Sequence, residues 1–192
     1  MDHFEYITMV VSFVSAFAIS QLLSGWARQW ALRDVQPAYS LHTVSSILFM
    51  ITLVQSIWGS WAYREVPWSF GPFLVYFVST LPLAGAAALI HPPAATAAET
   101  SMRQHYFSNG RAAYLLIAIW IGLAGWLEWL LVDHLGQFSD SMAPLQAVRA
   151  ISAIILTVQS ISRNPRVHWV GLGLLAVMIT ISSLRFGQFT PA

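Results

Sequence analysis

Six long stretches of mostly apolar residues, separated by short polar segments, dominate the chain. A bilayer core of about 30 Å is crossed by roughly 20 helical residues, each of which rises about 1.5 Å. Every stretch is long enough for this. The pattern therefore predicts an all-α polytopic membrane helix bundle with six transmembrane helices, over about 7–28, 42–63, 69–91, 112–133, 144–163 and 167–187.

The second and fifth stretches resemble each other. Residues 44–57 read VSSILFMITLVQSI and residues 148–161 read VRAISAIILTVQSI, which pairs Gln55 with Gln159. Three crossings per copy is an odd number, so a second copy would cross in the opposite sense, as in the inverted repeats of many transporters. The echo predicts a 3+3 inverted repeat within one membrane domain (1–192), with units of about 4–91 and 111–188. The alternative is that apolar helices resemble one another because they use few residue types.

The longest polar connection, 92–110, separates the two units. Thr96 and Glu99 have the spacing of a capping box, and Asn109-Gly110 is typical of a helix end. A short interfacial helix near 97–107 is therefore predicted, with a plain loop as the alternative.

Charge is scarce and unevenly distributed. Charged residues make up 9% of the chain, hydrophobic residues 57%, and the net charge is +1. Most arginines fall beside the loops after the first, third and fifth spans: Arg28, Arg33, Arg103, Arg111, Arg163 and Arg166, against Arg64, Arg149 and Arg185 on the other side. The positive-inside rule then predicts that the 92–110 loop is cytoplasmic and that both termini lie outside, in the periplasm of a bacterial inner membrane.

Two residue types are missing, and their absence excludes some chemistry. The chain has no cysteine, which excludes disulfides and thiolate metal sites, and no lysine, which excludes a retinal-type Schiff base. The small net charge gives no reason to expect nucleic acid as a partner. The lipid bilayer is the partner that the composition predicts.

Two charged residues lie inside predicted spans. Glu128 and Arg149 fall at similar depth on the fourth and fifth spans, which a short loop joins, so the two side chains are expected to meet. The pair could serve as a gate or coupling site, or as a structural ion pair. The polar residues Ser45, Thr52 and Ser56 follow one face of the second span, with Gln55 beside them. Pro82 interrupts the third span, and these residues together with Gln159 on the fifth span are the candidates for a transport path.

Histidines form a second group of candidates. His42, His91 and His168 fall near the cytoplasmic ends of three different spans. Imidazole groups at similar depth on several helices are typical of haem ligation or a transition-metal site. The alternative is that they are ordinary interfacial residues.

The opening Phe4-Glu5-Tyr6, followed directly by a long apolar span, resembles a group of small, uncharacterised bacterial membrane proteins with about six predicted helices. The resemblance implies an architecture and no activity.

Three functions remain open. The leading hypothesis is a transporter or channel for a small solute or cation, using Glu128 and Arg149. The alternatives are a haem- or metal-binding redox subunit and a non-catalytic accessory or assembly subunit of a larger membrane complex. Whether the protein is an enzyme is uncertain, and no metalloprotease HExxH or GxSxG motif supports it. A homo-oligomer or larger complex is expected, because so small a bundle is expected to have little interior of its own.

Overall fold

The protein is built from α-helices. The computed structural model describes residues 3–64, 66–134 and 142–186, and within them it forms seven α-helices, one 3-10 turn at Ser60–Tyr63 and no strands. The helices are α1 (His3–Ala31), α2 (Ser40–Gly59), α3 (Phe70–Ile90), α4 (Met102–Ser108), α5 (Gly110–His134), α6 (Met142–Ile161) and α7 (Pro165–Phe186). The predicted fold class is confirmed.

All helices except α4 are long and apolar enough to cross a membrane, with mean hydropathies between 1.3 and 2.0. The lowest value belongs to α6, the span whose sequence carries Arg149. Many large apolar side chains, such as Phe13 on α1 and Ile154 on α6, are exposed on the outside of the bundle. A lipid surface is the environment that accommodates them, so the chain is a multi-pass membrane protein.

The spans alternate in direction, and side-chain contacts mark the two ends of the bundle. At the end that carries the start of α1, here called the terminal end, Phe4 contacts Trp61, and Tyr63 contacts Tyr76 at the start of α3. The opposite end, here called the α4 end, carries the starts of α2, α5 and α7. The arginines assigned to the cytoplasmic side all fall at the α4 end, and the side chain of Arg185 lies outside the described part of the chain.

The six spans form a ring. Each has its most extensive contacts with two neighbours, in the circular order α1, α3, α5, α6, α7 and α2, and α2 closes the ring against α1. Some of these pairs are consecutive along the chain, such as α5 with α6. Others are not, since α1 packs along α3 and α2 packs along α7. A ring of this kind places one face of every span toward lipid and the other toward a shared interior.

The short helix α4 packs against α5 and α2 at one end of the ring. It begins at Met102 rather than near 97, and Ser101 at its N-terminus makes no capping hydrogen bond through its side chain. The predicted capping box is wrong because Thr96 and Glu99 lie in a turn before the helix. The helix ends at Ser108, close to the predicted position, and Gly110 then opens α5.

Helix packing differs between the two proposed repeat units. In the first unit α1 packs mainly along α3, whereas in the second α5 packs mainly along α6. An inverted two-fold relation would make these pairings equivalent. The packing gives the duplication no support, and it stays a prediction.

Candidate functional site

A cavity of about 860 Å³ occupies the middle of the helix ring. All six spans contribute to its wall, and its lining runs from Ser45 and Tyr114 near the α4 end to Tyr63 and Ser183 near the terminal end. The cavity is open to the surroundings rather than sealed. The lining residues Trp58, Gly59 and Ser183 are exposed and lie toward the terminal end, whereas the side chains beneath Tyr114 are buried, so we place the opening at the terminal end.

This interior corrects one sequence-based argument. A larger assembly was expected because six helices were thought to leave little room inside. The single chain already encloses a volume within the roughly 300–1,000 Å³ range of small-molecule sites. That reason for an oligomer is therefore wrong, and the oligomeric state itself stays a prediction.

The predicted meeting of Glu128 and Arg149 is present in the wall of the cavity. The guanidinium donates hydrogen bonds to both carboxylate oxygens, which is the bidentate geometry that makes arginine–carboxylate pairs strong. The Glu128 side chain is 9% exposed and that of Arg149 is 23% exposed. The pair thus joins α5 to α6 in a largely water-poor position.

Two further side chains complete the surroundings of the carboxylate. The Tyr63 hydroxyl donates to one oxygen of Glu128 over 3.2 Å, and the Gln146 amide donates to the other over 3.3 Å. Burial and the neighbouring carboxylate raise the pKa of Tyr63 well above its usual value of 10, so its hydroxyl keeps the proton that it donates. Neither residue was predicted, because the Tyr63 contact depends on how the 3-10 turn folds back over α5.

The predicted polar face of α2 does reach the cavity. Ser45, Thr52 and Ser56 all line it, and each hydroxyl donates to a backbone carbonyl of its own helix at 2.7–2.9 Å. With the donor used, the oxygen lone pairs remain available to accept hydrogen bonds from a solute or water. The pattern therefore makes one wall of the cavity an acceptor surface.

The two glutamines of the sequence echo have different surroundings. Gln55 lines the cavity and donates to the Ile179 carbonyl at 3.1 Å. Gln159 is fully buried and donates to the His168 carbonyl at 3.1 Å. Both amides therefore bind the backbone of α7, Gln159 near its start and Gln55 in its second half. Gln159 does not line the cavity.

Pro82 lies inside α3 as expected but is not part of the cavity wall. The nearby residues Ser79, Thr80 and Leu83 do line the cavity. The Ser79 hydroxyl donates to the Tyr76 carbonyl at 2.6 Å, so it does not serve the Val78 carbonyl that the missing proline N–H leaves free. The residue shapes α3 without facing the interior.

The three candidate histidines are buried at the α4 end, and their rings differ in how many hydrogen bonds they make. His42 donates from Nε2 to the Ile90 carbonyl at 3.0 Å, and its ring contacts that of His91 with centroids 4.7 Å apart. His168 uses both nitrogens, Nδ1 with the Tyr106 hydroxyl and Nε2 with the Ser162 carbonyl. In the described parts of the chain, no three His, Asp or Glu side chains converge as a metal site would require. The arrangement gives the haem or metal hypothesis no support.

The floor of the cavity is a cluster that the sequence did not predict. Tyr106 on α4 hydrogen-bonds to Tyr114 at 2.7 Å, and the rings of Tyr39 and Phe107 pack on it. His105 on the same helix lies 3.1 Å from the Leu89 and Ile90 carbonyls at the end of α3. Short α4 thus holds α2, α3, α5 and α7 together beneath the cavity. The feature of the sequence that could have indicated this cluster is the run His105-Tyr106-Phe107 in the predicted loop.

The chain matches no protein-family model, no curated protein and no solved structure.

Proposed function

We propose that this membrane protein binds a small solute in the central cavity and moves it across the bilayer. The observation that carries the proposal is the cavity itself, about 860 Å³ of open interior that all six spans surround. Helix bundles that serve only as anchors have no need to hold their spans apart in this way. The Glu128–Arg149 pair in the wall joins two spans through a contact that can break and re-form.

The charges on the cavity wall indicate which class of solute the cavity would bind. Among the described lining residues, only Glu128 and Arg149 carry charge, and they neutralise each other. A bare cation would meet no net negative field there. Hydroxyl acceptors and one separable ion pair favour an uncharged polar solute or a zwitterion, whose two ends could replace the two partners of the pair.

The distribution of arginines indicates how the protein is oriented in the membrane. We place the α4 end in the cytoplasm and both termini outside, in a bacterial inner membrane, because six arginines cluster at the α4 end. The cavity then opens outward, and α4 closes it on the cytoplasmic side.

Flux through purified protein in liposomes tests the proposal. The probes are labelled neutral and zwitterionic amino acids and monosaccharides, with rubidium as the cation. Glu128→Gln should lower the flux of the transported probe by about tenfold or more, because it removes a charge-assisted contact that contributes roughly 1.5–3 kcal/mol. Glu99→Gln, the same change on an exposed residue outside the cavity, should leave the flux unchanged.

Two results would contradict the proposal. One is wild-type flux no higher than that of empty vesicles for every probe. The other is an equal loss of flux in Glu99→Gln and Glu128→Gln, which would mean that the cavity residue has no special part in transport.

A further inference from the structure

A continuous chain of hydrogen bonds begins at the cavity floor and ends at the α4 end. The Tyr114 hydroxyl, whose residue lines the cavity, lies 2.7 Å from that of Tyr106. The Tyr106 hydroxyl lies 2.9 Å from His168 Nδ1, and His168 Nε2 lies 3.1 Å from the Ser162 carbonyl. Tyr106 is 2% exposed and His168 is fully buried, so the chain is shielded from bulk water.

The Ser162 carbonyl at one end of the chain determines which group donates each hydrogen bond. A carbonyl can only accept, so His168 Nε2 carries a proton and donates it to Ser162. In the neutral ring Nδ1 is then bare, and the Tyr106 hydroxyl donates to it. Tyr106 has no proton left for Tyr114, so Tyr114 donates to Tyr106. All donors point from the cavity toward His168.

We propose that Tyr114, Tyr106 and His168 conduct protons from the cavity to the α4 end. A proton from cavity water adds to the Tyr114 oxygen as the original Tyr114 proton moves to Tyr106 and the Tyr106 proton moves to Nδ1. The resulting imidazolium releases its Nε2 proton to water beside Ser162, whose neighbour Arg163 is exposed. One proton enters, one leaves, and no electron is transferred. The ring is left with its proton on Nδ1, and the chain resets when the imidazole returns to its Nε2–H tautomer and both hydroxyls rotate back.

The groups around His168 suit this role. Besides Tyr106, the α4 residue Phe107 packs its ring edge-on against the imidazole, and α5 contributes Tyr114. From α6 the facing groups are the uncharged Gln159 and Ser162. The charged groups along this part of the chain are Arg163 and Arg166, which are exposed, and Arg111, which donates to the Ser160 carbonyl at 2.7 Å.

Proton entry into liposomes that hold the full-length protein, with no solute present, tests the relay. An entrapped pH dye reports acidification when valinomycin and a potassium gradient set an inside-negative potential. Wild-type protein should acidify the lumen faster than empty vesicles do, and Tyr106→Phe should slow entry by at least about tenfold, because positioned proton transfer contributes factors of about 10² or more. Tyr39→Phe makes the same change on a ring that touches Tyr106 but lies outside the relay, and it should match the wild type.

The relay is refuted if wild-type protein conducts no faster than empty vesicles, or if folded Tyr106→Phe conducts as fast as Tyr39→Phe. Should Tyr106→Phe fail to fold, Tyr114→Phe removes the other hydroxyl of the chain and gives the same comparison. The inference uses the cavity of the proposed function as the entry for protons but does not require solute transport. Proton entry without solute flux would contradict the proposed function alone. Solute flux without proton entry would contradict the relay alone.

Discussion

Arg149→Leu is expected to destabilise the protein by about 3–5 kcal/mol, the usual cost of removing one partner from a buried ion pair. The substitution leaves Glu128 almost without solvent and with only Tyr63 and Gln146 as hydrogen-bond donors. Two neutral donors do not replace a bidentate guanidinium. Thermal unfolding of the detergent-solubilised protein, followed by circular dichroism, would measure the loss.

The double variant Glu128→Leu/Arg149→Leu is the matched control. Replacement of both members of a buried pair by apolar residues is often nearly neutral, because no charge is left unpaired. We therefore expect it to recover most of the stability that Arg149→Leu loses. A double variant as unstable as the single one would show that the two side chains stabilise the bundle independently, contrary to the geometry described above.

Acidification is expected to loosen the α4 end. Burial, with smaller contributions from the neighbouring His42, Arg28 and His105, lowers the pKa of His91 to about 3, and burial lowers the pKa of His105. Both rings are then neutral in the folded protein, whereas in the unfolded chain they bind protons near pH 6.5. The unfolded state gains protons first, so stability is complete above pH 6.5 and falls as the pH drops below it. His91 contributes a loss of about 1.4 kcal/mol per pH unit, and His105 adds to this loss.

Unfolding temperatures measured at pH 7.5 and 5.5 would check the sign. The wild type should unfold at a lower temperature at pH 5.5, and the variant His91→Asn/His105→Gln should show a smaller difference between the two pH values. Equal unfolding temperatures of the wild type at both values would contradict the assignment. So would a difference that the two substitutions leave unchanged.

The spans and the ion pair could be predicted from the sequence because both depend on local rules. Hydropathy over about 20 residues located every span to within a few residues of its helix. A short loop makes α5 and α6 antiparallel neighbours, and two charges at equal depth on such helices are strongly driven to meet. Glu128 and Arg149 therefore needed no knowledge of the remaining fold.

The cavity and its floor could not be predicted in the same way. The ring closes through α1 with α3 and α2 with α7, pairs that are not consecutive along the chain and that no local pattern in the sequence matches to each other. The partners of His42 and His105 are backbone carbonyls at the end of α3, and a sequence shows no pattern for such bonds. The histidine positions suggested a metal site because residue type and depth were visible, whereas hydrogen-bond partners were not.

Both proposals require a water-accessible cavity that the six spans surround and that opens at the terminal end. The chain contains no cysteine, so Thr52→Cys on the cavity wall and Ile51→Cys on the exposed face of α2 each introduce a single thiol. A membrane-impermeant maleimide, added separately to each side of oriented membrane vesicles, measures their accessibility. We expect Thr52→Cys to react from the terminal side and not from the α4 side, and Ile51→Cys to react from neither. A Thr52→Cys thiol that reacts no faster than that of Ile51→Cys, or that reacts from the α4 side, would contradict the account.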